Sequence, residues 1–482
     1  MKNVSYSLAL VLGWLGYALY ESIIGGATWG ECQAGYLAAG ESLDPEIRFA
    51  DAVPAEDNFA AIPELTGITL QTRDGAARRD QLETLGFKSD TTRWPKTRGS
   101  RGKNLQLPRE DYNLEAVHAY LKETALLDVS SEPPNLAADI YAAISKSHGS
   151  LISALHSSSD RPHAVLVPSG SSTSNPDIPL ITESAPQTQT LLSLAKGLNL
   201  HAVSALRSGH PDEAVASLNS MFRLAEASTA DGKQLIGHLV AVAIRTIATD
   251  TVWEGIKEEV WDQDQLLKLQ KRIESAHPRG DLTDSMRIEL IIMIDILDRI
   301  SSGRDGGELL LGGAASKFPR FILAPWFDHN RAALLTHYDD GYIKPLKQDL
   351  PYPTVGEVAS RTNERVGARP AWNPRSFVAS IAMPALVSAV KRTAEHETQL
   401  DQAAIACALE RYFIQNNSYP DTLEPLIPDF LDKLPPDPMD HQPIRYEQTD
   451  DGRYRLHSVG WDGDDNGGKE GDITWNYTIP VP

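Results

Sequence analysis

Residues 462–472 place five carboxylates and one Asn in eleven positions, interleaved with glycines. Like charge at that density repels itself unless something positive lies within reach. Glycines let a loop turn tightly enough to aim side-chain and carbonyl oxygens at one point. Hard divalent cations take about six to eight such oxygens. The stretch therefore points to a calcium loop using Asp462, Asp464 or Asp465, Asn466 and Asp472. A solvated Asp/Gly turn between two strands has the same composition, and that reading stays open. The spacing is not that of an EF-hand, because no acidic residue closes a twelve-residue loop begun at Asp462.

The residues before this loop restrict its setting. A helix-patterned run, Phe377 to Gln415, leads into Asn416-Asn-Ser-Tyr419-Pro420 and a Leu/Pro step from Leu423 to Pro428. Asp437-Pro438 follows, then an aromatic hairpin with arms at Ile444–Tyr446 and Tyr454–Ser458. This order resembles the globular part of the major pseudopilin of type II secretion systems. The loop residues Ser458, Gly460, Asp462, Gly463, Gly467, Gly468, Asp472 and Ile473 match that family's calcium-loop pattern. The resemblance implies a long helix, a small antiparallel sheet and bound calcium. It makes Asp462 and Asp472 the best-matched ligands and adds Ser458 to the candidates, while the roles of Asp464, Asp465 and Glu470 do not transfer. One departure counts against a filament subunit: the helix lies deep inside the chain, no Gly-Phe processing site precedes Tyr20-Glu21, and Pro384 is expected to interrupt the helix.

At the other end, residues 4–20 carry no charge. A membrane span takes about 20 residues. Lys2 precedes the run and Glu21, Glu31, Glu41, Asp44 and Glu46 follow, which favours the N-terminus inside and the body outside. An uncleaved anchor over 1–30 is expected, since Gly26-Ala-Thr28 is a weak cleavage site. A cleaved signal peptide and a buried helix are the alternatives. The stretch around Gly40-Glu-Ser-Leu43-Asp44 and Val53–Pro63 resembles uncharacterised envelope proteins of Verrucomicrobia and Planctomycetes. Those combine an N-terminal membrane helix with a pseudopilin-like end, which implies a body in the periplasm, anchored to the inner membrane, and no particular chemistry.

Between these ends, 31–110 is expected to be linker and loop, and 111–370 a helical domain ahead of the module at 371–482. Apolar residues recur at helical spacing from Leu114, and again over 136–155, 191–206, 214–227, 235–257, 263–275 and 286–300. Ser208-Gly209-His210-Pro211 reads as a stop and a start between two helices, giving a tetratricopeptide-like hairpin without a second copy. The fold class is thus mainly α: an irregular helical bundle of hairpin type followed by a small α+β pseudopilin-like domain.

Chemistry is sparse elsewhere. The net charge of −20 argues against bulk nucleic-acid binding. Two cysteines, Cys32 and Cys407, are too few for a disulfide framework or a structural zinc site. The basic run from Lys88 to Lys103 reads as a solvated loop, and the glycine-rich 303–313 lacks the Gly-Lys-Ser/Thr of a phosphate cradle. Asp328, His329, His337, Asp339 and Asp340 have metal-ligand chemistry, but the two histidines lie about two helical turns apart. With no nucleophile and base in a recognised motif, the expectation is a non-catalytic, membrane-anchored protein with partners in the cell envelope. That points to an accessory of a secretion or pilus-type assembly, with calcium and no small-molecule substrate. The competing classes are an envelope hydrolase whose site assembles only in three dimensions and a helical scaffold that grips peptides.

Overall fold

The computed structural model describes residues 2–70, 72–85, 113–123, 135–166, 180, 186–230, 232–303, 324–365 and 373–476. The basic run at 88–103, residues 304–313 of the glycine-rich stretch, and most of the Ser/Pro/Thr connection at 168–186 lie outside them. The protein is mainly helical, with a three-stranded antiparallel sheet near the C-terminus.

The helices in order are α1 (Lys2–Ala38), α2 (Arg73–Glu83), α3 (Leu114–Glu123), α4 (Leu136–Ser158), α5 (Pro186–Arg207), α6 (Pro211–Ala230), α7 (Leu235–Lys257), α8 (Gln263–Glu274) and α9 (Pro278–Ser302). After residue 323 come α10 (Phe327–Tyr338), a π-turn (Asp339–Ile343), a one-turn helix (Lys344–Lys347), α11 (Tyr352–Arg365) and the 40-residue α12 (Phe377–Asn416). The α5–α6 hairpin turns at Gly209, whose φ of +83 is the left-handed value that glycine adopts without strain. α8 starts with a capping box in which Asp262 and Gln265 satisfy each other's backbone N–H.

Apolar residues at 3–4 spacing become the buried faces of these helices. One core cluster runs from Phe59 through α3–α8 to α12 and on to Tyr454, Leu456 and Trp475 of the sheet, on both sides of residue 371. A second gathers Tyr36 of α1, Leu282 to Leu297 of α9, α10, α11 and the first half of α12. α12 belongs to both. Its stretch Ala403–Leu409 has no exposed residue, and its small side chains let α7 and α8 approach closely.

The expected interruption at Pro384 does not occur: α12 runs unbroken from Phe377 to Asn416. A proline within a helix removes a backbone hydrogen bond and costs about 3 kcal/mol. Packing of α12 against α7, α8, α9 and α11 outweighs that local cost.

The sheet has the order β1 (Arg445–Gln448), β2 (Tyr454–Ser458), β3 (Ile473–Asn476). Its register pairs Arg445 with His457 and Ser458 with Ile473. Tyr454, Leu456 and Trp475 turn inward to the core, and Gln402 of α12 donates to the carbonyl of Ile473 at 2.7 Å.

The turn after α7 closes by an unusually intimate contact. Trp261 folds back over Gly255, where an added Cβ would meet the indole at 2.1 Å, and its Nε1 donates to the Val252 carbonyl at 3.1 Å. Gly255→Ala is therefore expected to destabilise the protein by about 1–3 kcal/mol, the usual cost of overpacking a filled core. Urea unfolding measures it, and a midpoint equal to that of the parent would contradict this packing.

Candidate functional site

The β2–β3 connection is the acidic loop, and the strand register decides what lies beneath it. The hub is Asp437, which is fully buried. Its Oδ1 accepts from Ser458 Oγ at 2.8 Å and from the Met439 N–H at 3.0 Å; its Oδ2 accepts from Arg445 at 2.8 Å and from the Val459 N–H at 3.3 Å. Burial pushes this carboxyl above the usual range, while those donors act in the opposite direction. Arg445 also pairs with Asp440 at 2.5 Å and reaches Asp465 at 3.6 Å.

Within the loop, Asp472 is buried and serves as an internal hydrogen-bond acceptor. Its carboxylate accepts from the Asn466 N–H at 3.2 Å and from the Gly468 N–H at 2.7 Å. Asp465 accepts from the Gly467 N–H at 2.9 Å and lies 3.2 Å from His457 Nε2. Those two contacts, the backbone one first, hold Asp465 below the usual carboxylate range. Asp462 accepts from the Asp464 N–H at 3.3 Å, and its other oxygen faces Gly471. Asp464 is exposed. Gly460 is tied to the same point, since its φ is +69 and an added Cβ would meet the Gly471 carbonyl at 2.0 Å.

Of the six residues suggested by the sequence, the structure brings Asp465 and Asp472 together with His457, with one potential ligand atom from each inside 4.8 Å. Among the described residues this is the one such group. Ser458 is committed to Asp437 and to the Gly460 N–H rather than to that group. His457 and Asp437 were not singled out from the sequence. The first becomes visible only when the Arg445–His457 pairing is known, and the second only through the fold of the 437–445 turn.

A divalent cation fits this set. A carboxylate has about four lone-pair positions, so Asp472 with its backbone donors keeps room for a metal bond. Asp465 faces the same point, and Asp462 borders it across Gly471. The His457 imidazole adds a nitrogen, which borderline metals accept and calcium does not favour.

The mid-chain histidine and aspartate set does not assemble. His329 lies 3.1 Å from Glu21, Asp328 pairs with Arg331, and Asp339 and Asp340 pair with Lys344 at 2.8 and 2.6 Å. His337 sits edge-on between Tyr338 and Tyr342. A different constellation, not apparent in the sequence, forms across α4, α5 and α6. Ser217 Oγ is 2.9 Å from both His156 Nε2 and His201 Nδ1, and Glu213 lies 3.5 Å from His156 Nδ1. The order is that of a nucleophile, a base and an orienting acid. Ser217 is wholly buried, however, so a substrate carbonyl has no approach to it. The cluster ties three helices together.

Burial pushes both imidazoles down to about 4. Their folded values lie below the unfolded value of about 6.5, so the unfolded chain binds protons first as pH falls. Their contribution to stability is complete above about pH 6.5 and is lost as pH falls toward 4. His201→Asn is expected to make the fall in unfolding free energy across that window shallower, measured by denaturant titration at several pH values; an unchanged slope would count against a neutral buried His201.

No protein-family model, curated protein or solved structure matches this chain.

Proposed function

We propose that the chain is a non-catalytic, membrane-anchored structural or interaction protein of the cell envelope. In this reading its body lies on the periplasmic side of the inner membrane and its C-terminal loop is ordered by calcium. The observation that carries the reading is the division of α1. Its second half docks on the body: Tyr36 is buried, Gly25 packs on the His329 ring, and Glu21 is buried in a two-pronged pair with Arg375 at 2.7 and 3.0 Å. Its first half leaves Leu12, Leu15 and Leu19 between 51% and 63% exposed on one helical stripe. An uncovered apolar stripe on an uncharged segment suits a bilayer.

Among the described residues, the helix that meets the length and hydropathy criteria for a span is α7, at mean hydropathy 1.4. Since 72% of that window is buried inside the protein, α7 serves as a core helix. The anchor we propose is the uncharged stretch of α1 at residues 4–20. With residues 2–20 deleted, the protein should pass from the membrane pellet to the alkaline-carbonate supernatant, whereas the full chain should stay in the pellet. Release of the full chain by carbonate would remove the anchor.

The calcium part of the proposal rests on the convergence of Asp465 and Asp472 under a glycine-rich loop, with Asp462 adjacent. When bound there, the cation would neutralise the loop carboxylates and fix the Trp461 backbone. The Trp461 ring already lies against Gly356 of α11, where an added Cβ would be 2.8 Å from it. Chelation should speed limited proteolysis within 460–472 relative to the helical body, and calcium should restore protection. Equal cutting rates would exclude a bound metal, and rescue by zinc alone would replace calcium with a metal that uses His457.

The pseudopilin-like order of long helix, small sheet and acidic loop supports an accessory role in a secretion or pilus-type assembly. Burial of Ser217 supports the non-catalytic assignment, and labelling of Ser217 by a fluorophosphonate probe would favour the hydrolase class instead.

A further inference from the structure

Where the end of α7, the start of α8 and the end of α12 meet β2, the protein has a half-open pocket of ≈ 200 Å³. Its walls include Ile256, Trp261, Leu266 and Phe413, and its mouth is framed by Arg453 and Glu259, which pair with each other. The polar group inside it is Glu410, 8% exposed. The Glu410 carboxyl accepts from Tyr419 Oη and Tyr454 Oη, both at 3.0 Å on Oε1, and Tyr419 lies 3.2 Å from Oε2. A carboxylate has about four acceptor positions. Two phenols leave capacity on Oε2, and among the described residues Glu410 forms no ion pair; the charge of Arg453 acts on it while Arg453 pairs with Glu259.

We infer that this cavity is a binding site for a small primary alkylammonium ion, its charged head on Glu410 and its short hydrocarbon chain against Trp261, Phe413 and Leu266. A pocket with apolar walls and a buried polar group at its floor is a common form of small-ligand site. The sign of the charge follows from the floor of the cavity. An anion would meet a buried carboxyl, and a neutral alcohol would give the ionised form of that carboxyl no counter-charge in an apolar setting. An ammonium supplies both the charge and up to three N–H donors. The site is independent of the acidic loop and of the membrane anchor.

Titration behaviour agrees with this geometry. Burial pushes Glu410 up to about 7, against the hydrogen bonds from Tyr454 and Tyr419 and the charge of Arg453, with Glu259 adding to the rise. Binding an ammonium requires the ionised carboxylate. Affinity should therefore climb about tenfold between pH 6 and 8, as the ionised fraction of a group titrating near 7 does, while the amine itself stays protonated.

Isothermal titration of the full chain in detergent with n-butylammonium chloride tests the assignment, with sodium butyrate and n-butanol as controls. One molar equivalent of n-butylammonium should bind, butyrate should not, and Glu410→Gln should weaken binding by at least about tenfold. Ile414→Trp is a second variant, in case the first fails to fold. Ile414 lines the cavity yet is 45% exposed, so the larger ring can cover the mouth with little strain. It should abolish binding while leaving the melting temperature near that of the parent. Nα-acetyl-lysine amide, run alongside, distinguishes a lysine side chain from a free amine as the source of the ammonium. Absence of binding by both ammonium probes, equal binding of butyrate, pH-independent affinity, or full affinity in either folded variant would overturn the proposal.

Discussion

The structure depends on α12 having no free side through its middle. Ala403, Ala404, Ile405, Ala406, Cys407, Ala408 and Leu409 are successive buried positions, so every direction around the helix must be covered. A helix apolar all round is stable only inside a protein or a bilayer, and here α7, α8 and the sheet supply the cover. At 40 residues α12 is about 60 Å long. That length lets one helix serve the bundle at its start, the inner layer at its middle and the C-terminal sheet at its end. The two core clusters are joined through it, so the small sheet is folded against the bundle rather than hung from it.

Much of this was legible in the sequence because it is set by local chemistry. The helix patterns at 136–155 and 235–257, the stop at Gly209 and the hairpin arms near Tyr446 and Tyr454–Ser458 correspond to α4, α7, the α5–α6 turn and β1–β2. Each rests on periodicity or turn chemistry within a few residues. Pro384 shows where such reasoning fails: the local cost of a proline was read correctly, but its weight against long-range packing could not be. The helical character of 114–123 and 278–302 was likewise available locally, whereas which of their faces meet was not.

The loop was visible as a concentration of charge and glycine, but its partners were not. His457 comes into position through a strand register, Asp437 through a turn that closes on Ser458, and Arg445 through both. The same holds for Ser217, which meets one histidine from α4 and another from α5. Glu410 and its two tyrosines are separated by 9 and 44 positions. A carboxylate, a hydroxyl or an imidazole has the same appearance in a sequence whether it is solvated or enclosed. Enclosure and the partners it brings change its protonation, and both are properties of the fold.

The pairing of buried Glu21 with half-exposed Arg375 joins the neck of α1 to the turn just before α12 begins. That junction has a mechanical meaning. A force applied along α1 is delivered at the root of the longest rod in the molecule, through a two-pronged contact that resists rotation as well as extension. In the anchored arrangement proposed above, the body would turn with α1, so that orienting α1 would also aim the far end of the rod, where the sheet and its acidic loop sit.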